Sequence, residues 1–334
     1  MEKTLDPSKA YETIGVLGAG AWGTALALAA ALAGRKVTLW AREPEVAGAI
    51  RSHRENTRYL PGIRLPDTIA ATNERTAIAG CDVILDVVPA QHFHESLAGL
   101  PRAKPIVICA KGIEQASGRL LTEVLRETLP DAICAVLSGP SFAADVARGL
   151  PTAVTIAAER MEIALRLQAT LGHAGFRPYA SDDPAGVALG GAAKNVYAIA
   201  SGMVDGMGLG ESARAALIAR SFAELSRLGQ ALGARSETLM GLSGLGDLVL
   251  TATSPSSRNF RFGRALGQGH TLAELDAPGH PLAEGVATAP ALVKRARAEG
   301  VELPIAEAVA AVLAGRLPLD AALLRLMSRP LKPE

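Results

Sequence analysis

Two kinds of hydrophobic pattern divide this chain. In its first half short apolar runs recur, at Ile14–Leu17, Lys36–Trp40, Asp82–Val88, Pro105–Cys109, Ile133–Leu137 and Thr152–Ile156. Near-continuous runs of this length, separated by helical segments, predict parallel strands buried on both faces, and hence an α/β fold with a doubly wound sheet. Asp86 interrupts one of these runs, and the pattern offers no reason for it. After Ser181-Asp182-Asp183-Pro184 strand signals nearly vanish. The remainder reads as helices joined by glycine loops, and a helix predicted over 211–233 places Ile218, Phe222, Leu225, Leu228 and Leu232 on one face. Two domains are therefore expected, residues 1–183 around the sheet and an all-helical C-terminal domain over 184–334. The stretch from Gly202 to Gly210 is expected to be a tight connection.

The first strand runs into Gly18-Ala19-Gly20-Ala21-Trp22-Gly23 and then into the Ala/Leu-rich segment Thr24–Ala33. Strand, glycine turn and helix are the context in which G-x-G-x-x-G marks a dinucleotide site. The glycines allow a tight turn and a close approach to a pyrophosphate, whose charge faces the helix N-terminus. The first domain is thus expected to be Rossmann-type. At the end of the second strand, where the adenosine ribose is read, Arg42 arrives before Glu43. An arginine there suits a 2′-phosphate, which favours NADPH, whereas Glu43 keeps NAD open. Ligands in such sheets lie beyond the carboxyl ends of the strands. That position holds Val88-Pro89, Ala110-Lys111-Gly112 and Ser138-Gly139-Pro140-Ser141-Phe142-Ala143. Lys111 reads either as an anion-binding group or as a solvated loop lysine.

In the helical half, Lys194 is the only charged residue between Asp183 and Asp205, and Asp247 the only one between Glu237 and Arg258. Lys194 has no oppositely charged residue three or four positions away, so it either reaches water or is desolvated for chemistry. Two apolar helical segments, each carrying one charge of opposite sign, would leave two costly buried ions unless those ions meet. Lys194 and Asp247 are therefore expected to lie close together. Beyond them, Ser254-Pro255-Ser256-Ser257-Arg258-Asn259 combines a helix cap, backbone amides and a guanidinium, the components of a phosphate seat. Glu284, on a loop before the last helices, is a further candidate for the cofactor.

Composition narrows the partners. Lys plus Arg total 34 against 33 Asp plus Glu, so no global field favours nucleic acid or an anionic membrane. No apolar run is long and unbroken enough to span a bilayer, and the opening residues carry no signal-peptide core, so a cytoplasmic location is expected. Cys81, Cys109 and Cys134 stand far apart and read as buried thiols. His92 and His94 lack a third ligand nearby, and no metal is expected. A dinucleotide domain, a lone lysine with an aspartate and a small anion seat together suit hydride transfer at the carbinol carbon of a phosphorylated alcohol.

Five blocks then carry a resemblance. Gly18–Ala25, Ser138–Ala143, Gly190–Tyr197, Gly244–Asp247 and Ser257–Asn259 are similar, in order, to those of the bacterial NAD(P)-dependent glycerol-3-phosphate dehydrogenases. The resemblance extends to the terminal Leu326–Leu331. It implies reversible reduction of dihydroxyacetone phosphate to sn-glycerol 3-phosphate for phospholipid synthesis. It implies that Lys194 is the catalytic proton acceptor, with Asp247 beside it as a catalytic residue. Lys111, Gly139, Ser141, Asp247, Ser257, Arg258 and Asn259 would contact substrate, with Asn195 flanking it. The glycine turn (Gly18, Gly20, Ala21, Trp22 and Gly23) together with Arg42, Lys111, Ala143, Arg258, Leu282 and Glu284 would contact NADP or NAD. Phe260, Leu282 and Asp86 depart from the family's usual residues. The final helices read as bundle and interface material compatible with a homodimer. Two other readings remain open: a related two-domain dehydrogenase of hydroxy acids or sugar acids, and a catalytically silent NADPH-binding regulator.

Overall fold

The computed structural model describes residues 10–275 and 283–330. Leu282 and the opening nine residues lie outside the described residues. The chain divides into two compact units. One comprises the described residues up to Ala110 together with Leu120–Ala188; the other comprises Lys111–Arg119 together with the described residues from Leu189 onward.

The first unit is built on an eight-stranded sheet. Its strands are β1 (Thr13–Leu17), β2 (Lys36–Trp40), β5 (Ile69–Thr72), β6 (Val83–Asp86), β7 (Pro105–Ile108), β8 (Ile133–Ser138), β9 (Thr152–Ala158) and β10 (Phe176–Ser181). Their order is β10-β9-β8-β7-β6-β1-β2-β5, with a separate hairpin of β3 (Glu55–Asn56) and β4 (Leu60–Arg64). The order reverses beside β1, whose neighbours β2 and β6 both run parallel to it. A doubly wound sheet opens its binding crevice at such a reversal. The helices of this unit are α1 (Ala21–Leu32), α2 (Pro44–His53), α3 (Phe93–Ser96), α4 (Leu121–Thr128), α5 (Ala143–Ala147) and α6 (Met161–Leu171). Val83 and Leu85 of β6 enter one hydrophobic cluster, and Ile84 enters another that contains Phe93 and Val124. This alternation shows that both faces are covered.

One strand departs from the expected parallel set. β9 pairs with β8 antiparallel, and only the β9–β10 pair resumes parallel pairing. A strand buried on both faces is apolar throughout whichever way it runs, so its pattern carries no direction. β5 and β10 were not anticipated from the apolar runs. Arg177 and Tyr179 of β10 are exposed on either side of the buried Pro178, and β5 is only four residues long.

The second unit is helical, and among its described residues there is no strand. It contains most of α7 (Pro184–Gly206), followed by α8 (Gly210–Ala231), α9 (Ser236–Met240), α10 (Asp247–Thr253), α11 (Arg258–Gly267), α12 (Leu272–Leu275), α13 (Glu284–Ala298), α14 (Pro304–Leu313) and α15 (Leu319–Met327). The connection expected over Gly202–Gly210 is shorter than anticipated, because α7 continues through Gly206. Glycine is tolerated there by close packing rather than by a turn. A Cβ on Gly202 would lie 2.1 Å from the Phe260 carbonyl oxygen, and one on Gly206 would lie 2.1 Å from that of Arg264. These glycines let the backbones of α7 and α11 touch.

Candidate active site

Lys194 occupies the middle of α7, 7% exposed, among Ala192, Ala193, Val196 and Tyr197, all buried. Asp247 opens α10 after a π-helical turn over Leu242–Gly246 and is 0% exposed. α7 reaches that turn because Gly190 has no side chain: a Cβ there would stand 2.6 Å from the Ser243 carbonyl oxygen. The expected meeting of the two charges occurs. Lys194 Nζ donates to Asp247 Oδ1 at 2.6 Å and to Thr251 Oγ1 at 2.8 Å. Thr251, one turn along α10, donates to Asp247 Oδ1 at 3.2 Å. Its position four residues after Asp247 is the signal that could have identified it.

A second ammonium completes the group. Lys111 Nζ donates to the other carboxylate oxygen, Asp247 Oδ2, at 2.5 Å. One carboxylate against two ammonium groups leaves a unit of positive charge, so the cluster attracts an anion while each cation retains a partner. Burial lowers the pKa of Lys194 from 10.5 to about 8; Asp247 opposes that fall and the Lys111 charge reinforces it. The amine is thereby poised to exchange a proton near neutral pH.

Asn195 and Asn259 form a relay behind this cluster. Asn195 Nδ2 donates to the Lys111 carbonyl at 3.0 Å, and Asn259 Nδ2 donates to Asn195 Oδ1 at 2.9 Å. Asn259 Oδ1 accepts the Gly285 N–H at 2.9 Å, beside Glu284 at the start of α13. Both side chains are thus engaged with protein, which the sequence did not reveal. Ser257 caps α11, its hydroxyl accepting the Phe260 N–H at 3.2 Å. Arg258 begins that helix with its side chain exposed.

The remaining candidates belong to the first unit. Gly18 takes φ +115°, and a Cβ on Gly23 would fall 1.8 Å from the Gly18 carbonyl oxygen, so neither position accepts a side chain. A Cβ on Gly20 would meet nothing within 4 Å, which leaves open space above the turn. The first turn of α1, containing Ala21 and Trp22, carries no acidic side chain. Trp22 Nε1 is buried without a hydrogen-bond partner among the described residues. A glycine cradle at the N-terminus of a twelve-residue helix, with an orphaned donor beside it, fits a dinucleotide. Arg42 is 76% exposed at its side chain and pairs with Glu43 at 3.0 Å. Gly139 follows β8, where a Cβ would lie 2.8 Å from the Val154 Cα; Ser141 Oγ donates to its carbonyl at 3.0 Å, and Ala143 begins α5.

Comparison with known proteins fits this arrangement. The family profile for the N-terminus of NAD-dependent glycerol-3-phosphate dehydrogenase matches residues 13–164, and that for the C-terminus matches residues 183–324. A protein from Parvibaculum lavamentivorans named glycerol-3-phosphate dehydrogenase [NAD(P)+] is 55% identical over 97% of this chain and 99% of its own length. One of the same name from Caulobacter vibrioides is also 55% identical, over 97% of this chain and 99% of its own. The crystal structure of a glycerol-3-phosphate dehydrogenase from Coxiella burnetii superposes with a TM-score of 0.90 at 40% identity, covering 96% of this chain and 100% of that one. A structure described as a putative ketopantoate reductase from Ralstonia solanacearum shares the fold alone, at 18% identity and a TM-score of 0.61. The chain belongs to the NAD-dependent glycerol-3-phosphate dehydrogenase family.

Proposed function

We propose that this protein catalyses the reversible reduction of dihydroxyacetone phosphate to sn-glycerol 3-phosphate with a nicotinamide dinucleotide, and that Lys194 carries the proton. The observation that supports this most directly is the convergence of Lys194 and Lys111 on the buried Asp247. The bound cofactor supplies the hydride. As negative charge develops on the carbonyl oxygen, the Lys194 ammonium stabilises it and donates its proton; in the reverse direction neutral Lys194 removes the hydroxyl proton. Asp247 and Thr251 hold the amine in place. Lys111 contributes the second positive charge toward an anionic substrate. The phosphate is received at the start of α11, by the Arg258 guanidinium and the backbone amides that the Ser257 cap leaves available. Gly139 and Ser141 are further candidates for contacting the substrate. Asn195 and Asn259 act chiefly by fixing the Lys111 carbonyl and the start of α13. Residues 1–183 carry the dinucleotide and residues 184–334 the chemistry, with Lys111 contributing to the latter.

NADPH is the favoured cofactor in this reading, through Arg42. The assay that tests the reaction measures NADPH oxidation with dihydroxyacetone phosphate against ketopantoate and 6-phosphogluconate. Turnover of the first and not the others is expected, and no turnover of the first refutes the proposal. Replacing Arg42 by Ala is expected to lower the ratio of kcat/KM for NADPH to that for NADH about tenfold. A strong NADPH preference that persists in this variant removes Arg42 from its role.

A further inference from the structure

Asp86 has no part in the chemistry above, yet it is fully buried at the carboxyl end of β6, a central strand. Its neighbours in register are Leu17 of β1 and Ile108 of β7, and it shares a face with Ile84 where these apolar side chains cluster. An apolar residue would fill such a place without desolvating a carboxyl group. What distinguishes Asp86 is what its two oxygens hold. Oδ2 accepts the Ser96 hydroxyl of α3 at 2.6 Å, and Oδ1 accepts the backbone N–H of Val88 at 3.1 Å. Arg75 braces the far side by donating to the Ser96 carbonyl.

The Val88 amide belongs to the peptide on which the glycine turn sits. A Cβ built on Gly18 would lie 3.3 Å from the Val87 carbonyl carbon and 3.5 Å from the Val88 nitrogen. One built on Gly23 would lie 3.5 Å from the Val87 Cβ. Val87 in turn donates its N–H to the Leu17 carbonyl at 2.9 Å, immediately before Gly18. The Val87–Val88 peptide is therefore the floor of the turn. Asp86 is the side chain that accepts its N–H.

We propose that Asp86 is a positioning residue for dinucleotide binding: by holding the Val88 N–H it keeps the Val87–Val88 peptide in the orientation on which Gly18 and Gly23 are seated. The proposal rests on the reading of Gly18–Gly23 as the cofactor turn. With the Val88 N–H released, the peptide rotates more freely, and the turn must be ordered at the expense of cofactor affinity.

The test is titration of the full-length enzyme with NADPH, followed by the fluorescence of the bound nicotinamide, beside steady-state kinetics. Asp86→Val is expected to raise the Kd for NADPH about tenfold, with KM for NADPH rising in step and kcat at saturating cofactor changing far less. Asp86→Asn, whose carbonyl can still accept from Val88, is expected to restore most of the affinity. Thr170→Val, on α6 of the same unit, removes the acceptor of the Tyr11 N–H and serves as the control for general destabilisation. The proposal is overturned if Asp86→Val leaves Kd within about twofold of the wild type, or if Thr170→Val raises it as much for the same loss in Tm. Should Asp86→Val fail to fold, Ser96→Ala decides: it strips Oδ2 of its donor, a rise in Kd of about threefold is expected, and an unchanged value overturns the proposal. Gly18→Val separates the two readings. If it weakens binding and the Asp86 variants do not, only the role of Asp86 falls; if it leaves binding unchanged, the cofactor-turn reading falls and this proposal with it.

Discussion

Asp247 in the helical unit and Asp86 in the sheet unit are both fully buried, but different groups surround them. Asp247 is touched by two ammonium groups and a hydroxyl. Asp86 is touched by a hydroxyl and a backbone amide, with the Arg75 guanidinium acting only at longer range. Opposite charges at contact distance offset one another's burial, and the second ammonium makes the cluster attractive to an anion. Neutral donors hold a shape, and burial without a contacting cation pushes the Asp86 carboxyl up to about 7. In the roles proposed above, one buried carboxylate serves chemistry and the other serves geometry.

The largest effect that can break this contrast lies at Lys194. Removing the proposed proton carrier in Lys194→Ala is expected to lower the single-turnover rate of reduction by roughly a thousandfold or more, measured by stopped flow at saturating substrates. An unchanged rate would falsify the assignment. The pH dependence sharpens the same point. With Lys194 as the proposed proton donor, kcat/KM for dihydroxyacetone phosphate is expected to fall as pH rises through about 8, while oxidation of glycerol 3-phosphate rises over that range. Lys111 depresses the pKa of Lys194, so Lys111→Met is expected to move the alkaline limb to higher pH as well as weaken substrate binding. A limb that stays in place would show that the two charges do not interact.

The sheet side yields an effect on stability. The Asp86 carboxyl titrates near 7 when folded, against an ordinary value of 3.8, so the folded state retains a proton that the unfolded chain has lost. Its contribution is most favourable below about pH 4, declines as pH rises to about 7 and is then level. Asp86→Asn, which never ionises, is expected to gain roughly 1–3 kcal/mol relative to the wild type between pH 5 and pH 8, read from urea unfolding at each pH. An equal difference at both values would mean that Asp86 is ionised in the folded protein throughout. The smallest effect is expected at Thr251. Thr251→Val leaves the Lys194–Asp247 pair intact and removes one of its hydrogen bonds, so a loss of about tenfold in kcat is expected, with KM for dihydroxyacetone phosphate little changed.

The sequence alone determined a good deal. The glycine turn between an apolar strand and an Ala-rich helix, the lone charges Lys194 and Asp247 in apolar helical segments, and the family's five blocks in order all follow from local composition and spacing. Local patterns record what a residue is and which face it occupies, and those were sufficient for the fold class and for the pairing of the two buried ions. Only the tertiary structure decided that β9 runs antiparallel to β8, because a doubly buried strand has no directional signature. It also decided that Gly202 and Gly206 are packing residues within α7, that Lys111 is the second cation on Asp247, and that Asp86 holds the floor of the glycine turn. Each of these depends on which distant atoms share a few ångströms of space. Residues such as Lys111 and Asp247, 136 positions apart, carry no local mark of one another.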